Sequence, residues 1–115
     1  MTRYVVTEGP NDTEVLQDML QRAGIMDVQV LTATGSAGAL SKARSLMVNR
    51  KGPVVLVIDE MNDRKQDAVR EEYEFLMSAA PASVPSKVVV YGGPERGREE
   101  LDPVIDFLRQ HHETA

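Results

Sequence analysis

The feature that most constrains this chain is a fourfold alternation of short valine-rich segments with longer stretches of helical period. The valine-rich segments are residues 4–7, 28–31, 54–58 and 87–91. Each is followed by a stretch whose apolar side chains recur every three or four residues, as on one face of a helix. Strands that alternate with helices in this way pair in parallel. The sequence therefore predicts an α/β fold, a three-layer sandwich in which a four-stranded parallel sheet carries helices on both faces.

The polarity of the predicted strands indicates their order. Residues 54–58 are apolar at every position and residues 4–7 are nearly so, which is typical of central strands covered on both faces. Residues 28–31 alternate polar and apolar side chains, as expected at an edge. We therefore predict the order 2-1-3-4, in which the chain reverses direction between strands one and three. Ligands of such sheets bind at that reversal, beyond the carboxyl ends of the strands.

Turn and cap residues predict where the helices begin. Gly9-Pro10 forms a turn, after which Asn11 or Asp12 can cap the first helix. Residues 35–38, Gly-Ser-Ala-Gly, form the turn before the second helix, where backbone amides can also hold a phosphate. The third and fourth helices are predicted to begin at Asp63 and at Asp102-Pro103.

Composition excludes several classes of protein. The 115 residues contain no cysteine, which excludes disulfides, thiolate metal sites and a cysteine nucleophile. A net charge of −5 argues against a protein that coats nucleic acid through bulk charge, because such binding depends on lysine and arginine. The longest aliphatic run is far short of the roughly 20 residues that span a bilayer, and the N-terminus lacks an apolar signal core. We expect one cytoplasmic domain over residues 1–115, without membrane contact.

Two carboxylates are predicted to meet at the tips of the central strands. Glu8 follows strand one and Asp59 ends strand three, so the two would repel unless a proton or a divalent cation lay between them. Carboxylates and phosphate oxygens are ligands that Mg²⁺ prefers. We predict a site for Mg²⁺ (or Mn²⁺) at Glu8 and Asp59, with Asp12, Glu60 and Asp63 as further direct or water-mediated ligands. For Asp12 and Asp63, helix capping or a solvated loop is the alternative.

The same residues resemble those of a known family. Residues 8–12, Glu-Gly-Pro-Asn-Asp, are similar to the Glu-Gly-x-x-Asp signature of TOPRIM domains, the metal-dependent modules of topoisomerases, bacterial primases and OLD-type nucleases. Residues 54–61 resemble the strand that carries the Asp-x-Asp motif of that family. The resemblance covers most of the chain. It implies that Glu8 is a metal ligand or general acid/base, and that Asp59 is a Mg²⁺ ligand, the two being the catalytic residues.

The resemblance is incomplete at the second acid of the Asp-x-Asp motif. That position holds Met61, whose thioether does not suit Mg²⁺. Glu60 would point to the wrong side of an extended chain, whereas Asp63 can substitute if the loop turns back. Two alternatives therefore stay open. The domain is a Mg²⁺-dependent nuclease or phosphotransfer enzyme that contacts nucleic acid through its metal, or it is a degenerate, regulatory module that binds a larger protein partner.

Response-regulator receiver domains are a competing resemblance. They also carry acids after strand one, an aspartate at the end of strand three that accepts phosphate, and a similar strand order, so Glu8 and Asp59 could fill those roles. Three features count against it: Thr7 occupies the first acid position, no Met-Pro pair follows Asp59, and no fifth strand with its lysine follows Tyr91. An unrelated α/β domain is the third alternative.

Basic side chains are expected near the same edge of the sheet. Arg96 and Arg98 follow the fourth strand, where they could reach a phosphate beside the two carboxylates, or belong to a solvated loop. Arg64 and Lys65, just after the acidic loop, are open to the same two interpretations.

Overall fold

A computed structural model describes residues 2–59, 63–78, 84–92 and 97–111, leaving out the side chains of residues 63–66. Its elements, in chain order, are β1 (Arg3–Thr7), α1 (Pro10–Ala23), β2 (Val28–Thr32), α2 (Gly35–Asn49), β3 (Val54–Asp59), α3 (Asp63–Ser78), β4 (Ser86–Tyr91) and α4 (Asp102–Gln110). A short 3₁₀ helix, Arg98–Leu101, leads into α4.

The four strands form one parallel sheet in the order β2-β1-β3-β4. This confirms the predicted class and strand order. All five residues of β1 are buried, as are residues 54–58 of β3, because each of these strands has neighbours on both sides and helices on both faces. β2 pairs only with β1 and is partly exposed, which is the pattern expected of an edge strand.

Helices cover both faces of the sheet, since successive side chains of a strand point to opposite sides. One face packs against α1 and α4 through a core of Val5, Leu16, Leu20, Val55, Val57, Val89, Tyr91, Leu101, Val104, Ile105, Phe107 and Leu108. The other face packs against α2 and α3 through Tyr4, Val6, Ala39, Ala43, Met47, Val54, Leu56, Ile58, Met77 and Val88. Among the described residues, no helix combines the length and the hydrophobicity that crossing a membrane requires.

Two helices begin earlier than the sequence predicts. α1 starts at Pro10 with Gly9 as its N-cap, and no side chain caps it, so the prediction of a cap at Asn11 or Asp12 was wrong. Proline suits the first helical position because its φ is already helical and its missing N–H is not needed there. α2 starts at Gly35, whose φ of +75° makes the turn in a single residue. Residues 35–38 are therefore the first turn of α2 and not a separate loop.

Candidate functional site

The predicted edge of the sheet brings Glu8 and Asp59 together. Glu8 directly follows β1, and Asp59 is the last residue of β3. The backbone N–H of Asp59 donates a hydrogen bond to Oε2 of Glu8, which holds the Glu8 carboxylate against the tip of the neighbouring strand. The contact joins the carboxylate of one residue to the backbone of the other. Glu8 is therefore oriented by β3, while the side chain of Asp59 turns to a different partner.

That partner is Asp12, in the first turn of α1. Its side chain is only 5% exposed, shares a hydrogen bond with that of Asp59, and leaves Oδ2 buried without a hydrogen-bond partner among the described residues. Asp12 is thus neither a solvated side chain nor a helix cap. Two carboxyl groups can share a hydrogen bond only when one of them carries a proton. We call Glu8, Asp12 and Asp59 the acid cluster.

The electrostatics of the acid cluster place that proton on Asp12. Burial, which contributes most, the hydrogen bond to Asp59 and the charges of Asp59 and Glu8 together raise the pKa of Asp12 from 3.8 to about 8. The position of Asp12 at a helix N-terminus would lower its pKa, but burial and two like charges outweigh that effect. Without a cation, Asp12 therefore stays protonated at neutral pH.

Tyr91 adds a buried hydroxyl beside the acid cluster. It pairs with Asp59 across β3 and β4, so the two side chains lie on the same face of the sheet. Tyr91 is 1% exposed, and its hydroxyl has no hydrogen-bond partner in the described part of the chain. Its pKa is raised, mainly by burial and then by the charge of Asp12, which places the ring close to the cluster. Sequence reasoning used Tyr91 only as the end of a strand, because its position opposite Asp59 depends on the register between β3 and β4.

A chain of three threonines fixes the loop that carries Glu8. The Thr7 hydroxyl donates to the carbonyl oxygen of Gly9 at 3.1 Å, and its oxygen lies 2.8 Å from that of Thr13. The Thr13 hydroxyl in turn lies 2.5 Å from that of Thr32. These contacts join the ends of β1 and β2 to the first turns of α1. Sequence reasoning missed this network, because its members come from three different elements.

The other predicted site residues are not brought into the cluster by the described contacts. Asp63 begins α3, but its side chain lies outside the described residues, as do Glu60, Met61 and Arg96. Arg98 donates through Nη1 to Oδ2 of Asp18 on α1, at 2.5 Å. This bond, together with a second one from Arg22, lowers the pKa of Asp18. The Arg98 side chain therefore contacts α1 and does not extend over the acid cluster.

The acid cluster has the chemistry of a partial site for a hard cation. Within the described residues, no group of three or more acidic or histidine side chains has the arrangement of a metal site. Mg²⁺, however, is commonly bound by one or two carboxylates, with waters and substrate phosphate as its other ligands. The Asp12–Asp59 pair meets that requirement, since a cation can replace the shared proton and take up the unpartnered Oδ2.

Comparisons of the chain with protein families, with curated proteins and with solved structures found no match. The four-stranded parallel sheet of order 2-1-3-4 is compatible with TOPRIM-like folds. The architecture of the fold thus agrees with the resemblance.

Proposed function

We propose that this chain is a TOPRIM-like domain that binds Mg²⁺ or Mn²⁺ at the acid cluster and acts on, or docks against, a phosphodiester of a nucleic acid. One observation carries the proposal: Asp12 and Asp59 are held side to side although both are acids, and Asp12 is buried with an unpartnered oxygen. Burying a carboxyl group in this way costs free energy unless a partner compensates it. A divalent cation is the partner that two adjacent carboxylates would bind.

Each residue of the cluster has a distinct role in this proposal. Asp12 and Asp59 would hold the cation, which when bound would neutralise negative charge on a phosphodiester. Glu8, oriented by the N–H of Asp59, would accept or deliver a proton beside them. Tyr91 places a hydrogen-bond donor in the buried wall of the cluster. The threonine chain keeps the loop between β1 and α1 in place while these groups act.

The alternative is a regulatory, non-catalytic module that keeps the cation site and binds a partner. Met61 supports it, because this residue replaces the second acid of the Asp-x-Asp motif. A receiver-like function has less support. Thr7 occupies the position of the first acid of receiver domains. It is fully buried and its hydroxyl donates to the Gly9 carbonyl, so the residue here supports the loop and offers no carboxylate.

A metal titration followed by backbone NMR tests the proposed site. We expect Mg²⁺ or Mn²⁺ at millimolar concentration to shift or broaden the amide signals of Gly9, Asp59 and Tyr91. Asp59→Asn should abolish the response. Asp106→Asn, which changes an exposed acid on α4, is the matched control and should leave it intact. A wild-type protein that ignores both cations would refute the proposal.

A nicking assay separates catalysis from docking. Supercoiled plasmid with Mn²⁺ should be nicked by the wild type and not by Asp59→Asn if the domain is an enzyme. A clear metal response without nicking would support the regulatory module. Nicking that survives Asp59→Asn would exclude the acid cluster as its source.

Beryllofluoride tests the receiver alternative. It should perturb the NMR signals of Asp59 and β4, and unchanged spectra there would eliminate the receiver alternative.

A further inference from the structure

Charge is distributed very unevenly along this acidic chain. Residues 28–58 contain none of its 18 acidic residues and four of its 13 basic ones. The four are Lys42, Arg44, Arg50 and Lys51, and all lie on α2 or directly after it. A chain with a net charge of −5 therefore carries one helix that is purely basic.

The cations of α2 are not engaged within the fold. Lys42, Arg50 and Lys51 are exposed and Arg44 is half-buried. None of the four takes part in an ion pair or a side-chain hydrogen bond with another described residue. The arginines Arg22, Arg70 and Arg98 behave differently, since each of them pairs with a carboxylate. The positive charge of α2 thus has no counter-charge among the side chains that the structure describes.

The rest of the outer surface of α2 allows close approach of a ligand. Apart from Val48 and Asn49, the exposed residues before and between the cations of α2 are small, including Ala37, Gly38, Ser41 and Ser45. Together with Lys42 and Arg50, three of these residues line a shallow concavity of about 670 Å³. A helix face that carries cations and no acid of its own attracts a polyanion.

The basic helix starts at the edge of the sheet that carries the acid cluster. α2 begins three residues after Thr32, which the threonine chain joins to the loop bearing Glu8. Its 15 residues extend about 22 Å away from that edge, at a rise of about 1.5 Å per residue. The cations lie from residue 42 onward, in the half of α2 away from that edge, so a polyanion that binds them and continues along the uncharged first turns would extend toward the edge that carries the acid cluster.

We infer that the outer face of α2 is a docking surface for the phosphate backbone of double-stranded DNA. The inference rests on the proposed function. It supplies a surface for contact with nucleic acid, which a net charge of −5 would otherwise disfavour. α2 has no aromatic residue on which bases of a single strand could stack. An α-helix fits the major groove of B-form DNA, whereas the major groove of duplex RNA is too deep and narrow. The side chains of α2 can therefore contact the phosphate backbone of a DNA duplex.

Fluorescence anisotropy with a labelled duplex of about 20 base pairs, in EDTA, tests this surface. Four phosphate contacts predict a slope of log K against log salt of about −3.6. The double variant Lys42→Glu/Arg50→Glu should lower the affinity about tenfold or more and flatten the slope by about 2. The control Lys87→Glu/Arg109→Glu makes the same change in net charge at exposed positions outside α2 and should keep most of the affinity.

Several results would overturn the inference. Equal losses in the two double variants would mean that only net charge matters. Tighter binding to a single strand or to duplex RNA of the same length, or binding to anionic lipid vesicles but not to DNA, would assign the surface to another partner. Because the assay contains EDTA, it does not depend on the metal site. Asp59→Asn should still bind the duplex, so a failed metal titration and a failed docking surface are separate results.

Discussion

Two ionisable residues are buried on the same side of the sheet, at opposite ends of the strands, and they differ in the groups that surround their side chains. Arg3, at the start of β1, is 2% exposed. It donates through Nη1 to the carbonyl oxygen of Leu108 at 2.6 Å and through Nη2 to that of Met26. Asp12, beyond the carboxyl ends of the strands, faces Asp59 and keeps one oxygen unpartnered.

Arg3 therefore helps to hold the fold together, whereas Asp12 keeps an oxygen that could still bind a ligand. A buried charge is tolerated when hydrogen bonds replace the water that it has lost. Arg3 meets that condition at its two Nη atoms, which join β1 to the end of α4 and to the turn before β2, whereas its Nε has no partner among the described residues. Asp12 meets like charges, so its burial weakens the folded state until a proton or a cation compensates it. Substitutions at the two sites should therefore change stability in opposite directions.

Arg3→Met should give the largest effect. The variant keeps an unbranched apolar side chain but removes two hydrogen bonds and leaves the Leu108 and Met26 carbonyls without their donor. We expect the free energy of unfolding to fall by about 3 kcal/mol, measured by urea denaturation. Arg109→Met, at an exposed position at the same end of the molecule, should change it by less than about 0.5 kcal/mol. Similar losses in both would contradict the structural role of Arg3.

Asp12→Asn should have the opposite sign and should depend on pH. In metal-free buffer the Asp12 carboxyl keeps its proton up to about pH 8 when folded but loses it near pH 3.8 when unfolded. The stabilising contribution of the Asp12 proton is therefore fully present below about pH 4 and is lost as the pH rises through 8. The asparagine variant should lack this decline and should therefore exceed the wild type in stability at the upper end of the range.

The comparison with Asp106→Asn, at an exposed position, checks that the effect is specific to the buried acid. Adding Mg²⁺ should restore stability to the wild type at high pH and leave Asp12→Asn unchanged. Parallel pH profiles for the wild type and Asp12→Asn would show that the carboxyl group is not strained by its neighbours.

Tyr91→Phe tests the unpartnered hydroxyl and should have a smaller effect. Removing a buried hydroxyl that lacks a hydrogen bond should raise the free energy of unfolding by about 1 kcal/mol in metal-free buffer. The same variant should weaken the Mg²⁺ response seen by NMR, if the hydroxyl serves the cation site. Tyr73→Phe on α3, which is only half-buried, is the control and should alter neither measurement. A clear loss of stability in Tyr91→Phe would mean that the hydroxyl is already satisfied.

Thr13→Val should have the smallest effect of the four. Valine keeps the shape of threonine but breaks the chain between Thr7 and Thr32, which we expect to cost about 1 kcal/mol or less by thermal denaturation. Thr34→Val is the matched control, because the Thr34 side chain is exposed and makes no capping hydrogen bond to α2. If both variants melt alike, the threonine chain does not hold the loop that bears Glu8.

The fold could be predicted from the sequence because its signals are local. Residues 54–58 are uniformly hydrophobic, and residues 28–31 alternate polar and apolar side chains. These patterns indicate a central and an edge strand without any knowledge of their partners. The helix starts were less predictable. Pro10 and Gly35 can each either end a turn or begin a helix, and the surrounding chain decides between the two.

The sequence by itself determined the parallel sheet, its strand order, and the meeting of Glu8 and Asp59 at one edge. Periodicity reports which face of each element is buried, and parallel pairing then brings the strand ends together. Only the tertiary structure decided that Asp12 turns inward to Asp59, that Tyr91 lies opposite Asp59 on the neighbouring strand, and that Arg3 reaches Leu108. Such contacts join elements far apart in the chain, and they depend on strand register and helix packing, which no local pattern records.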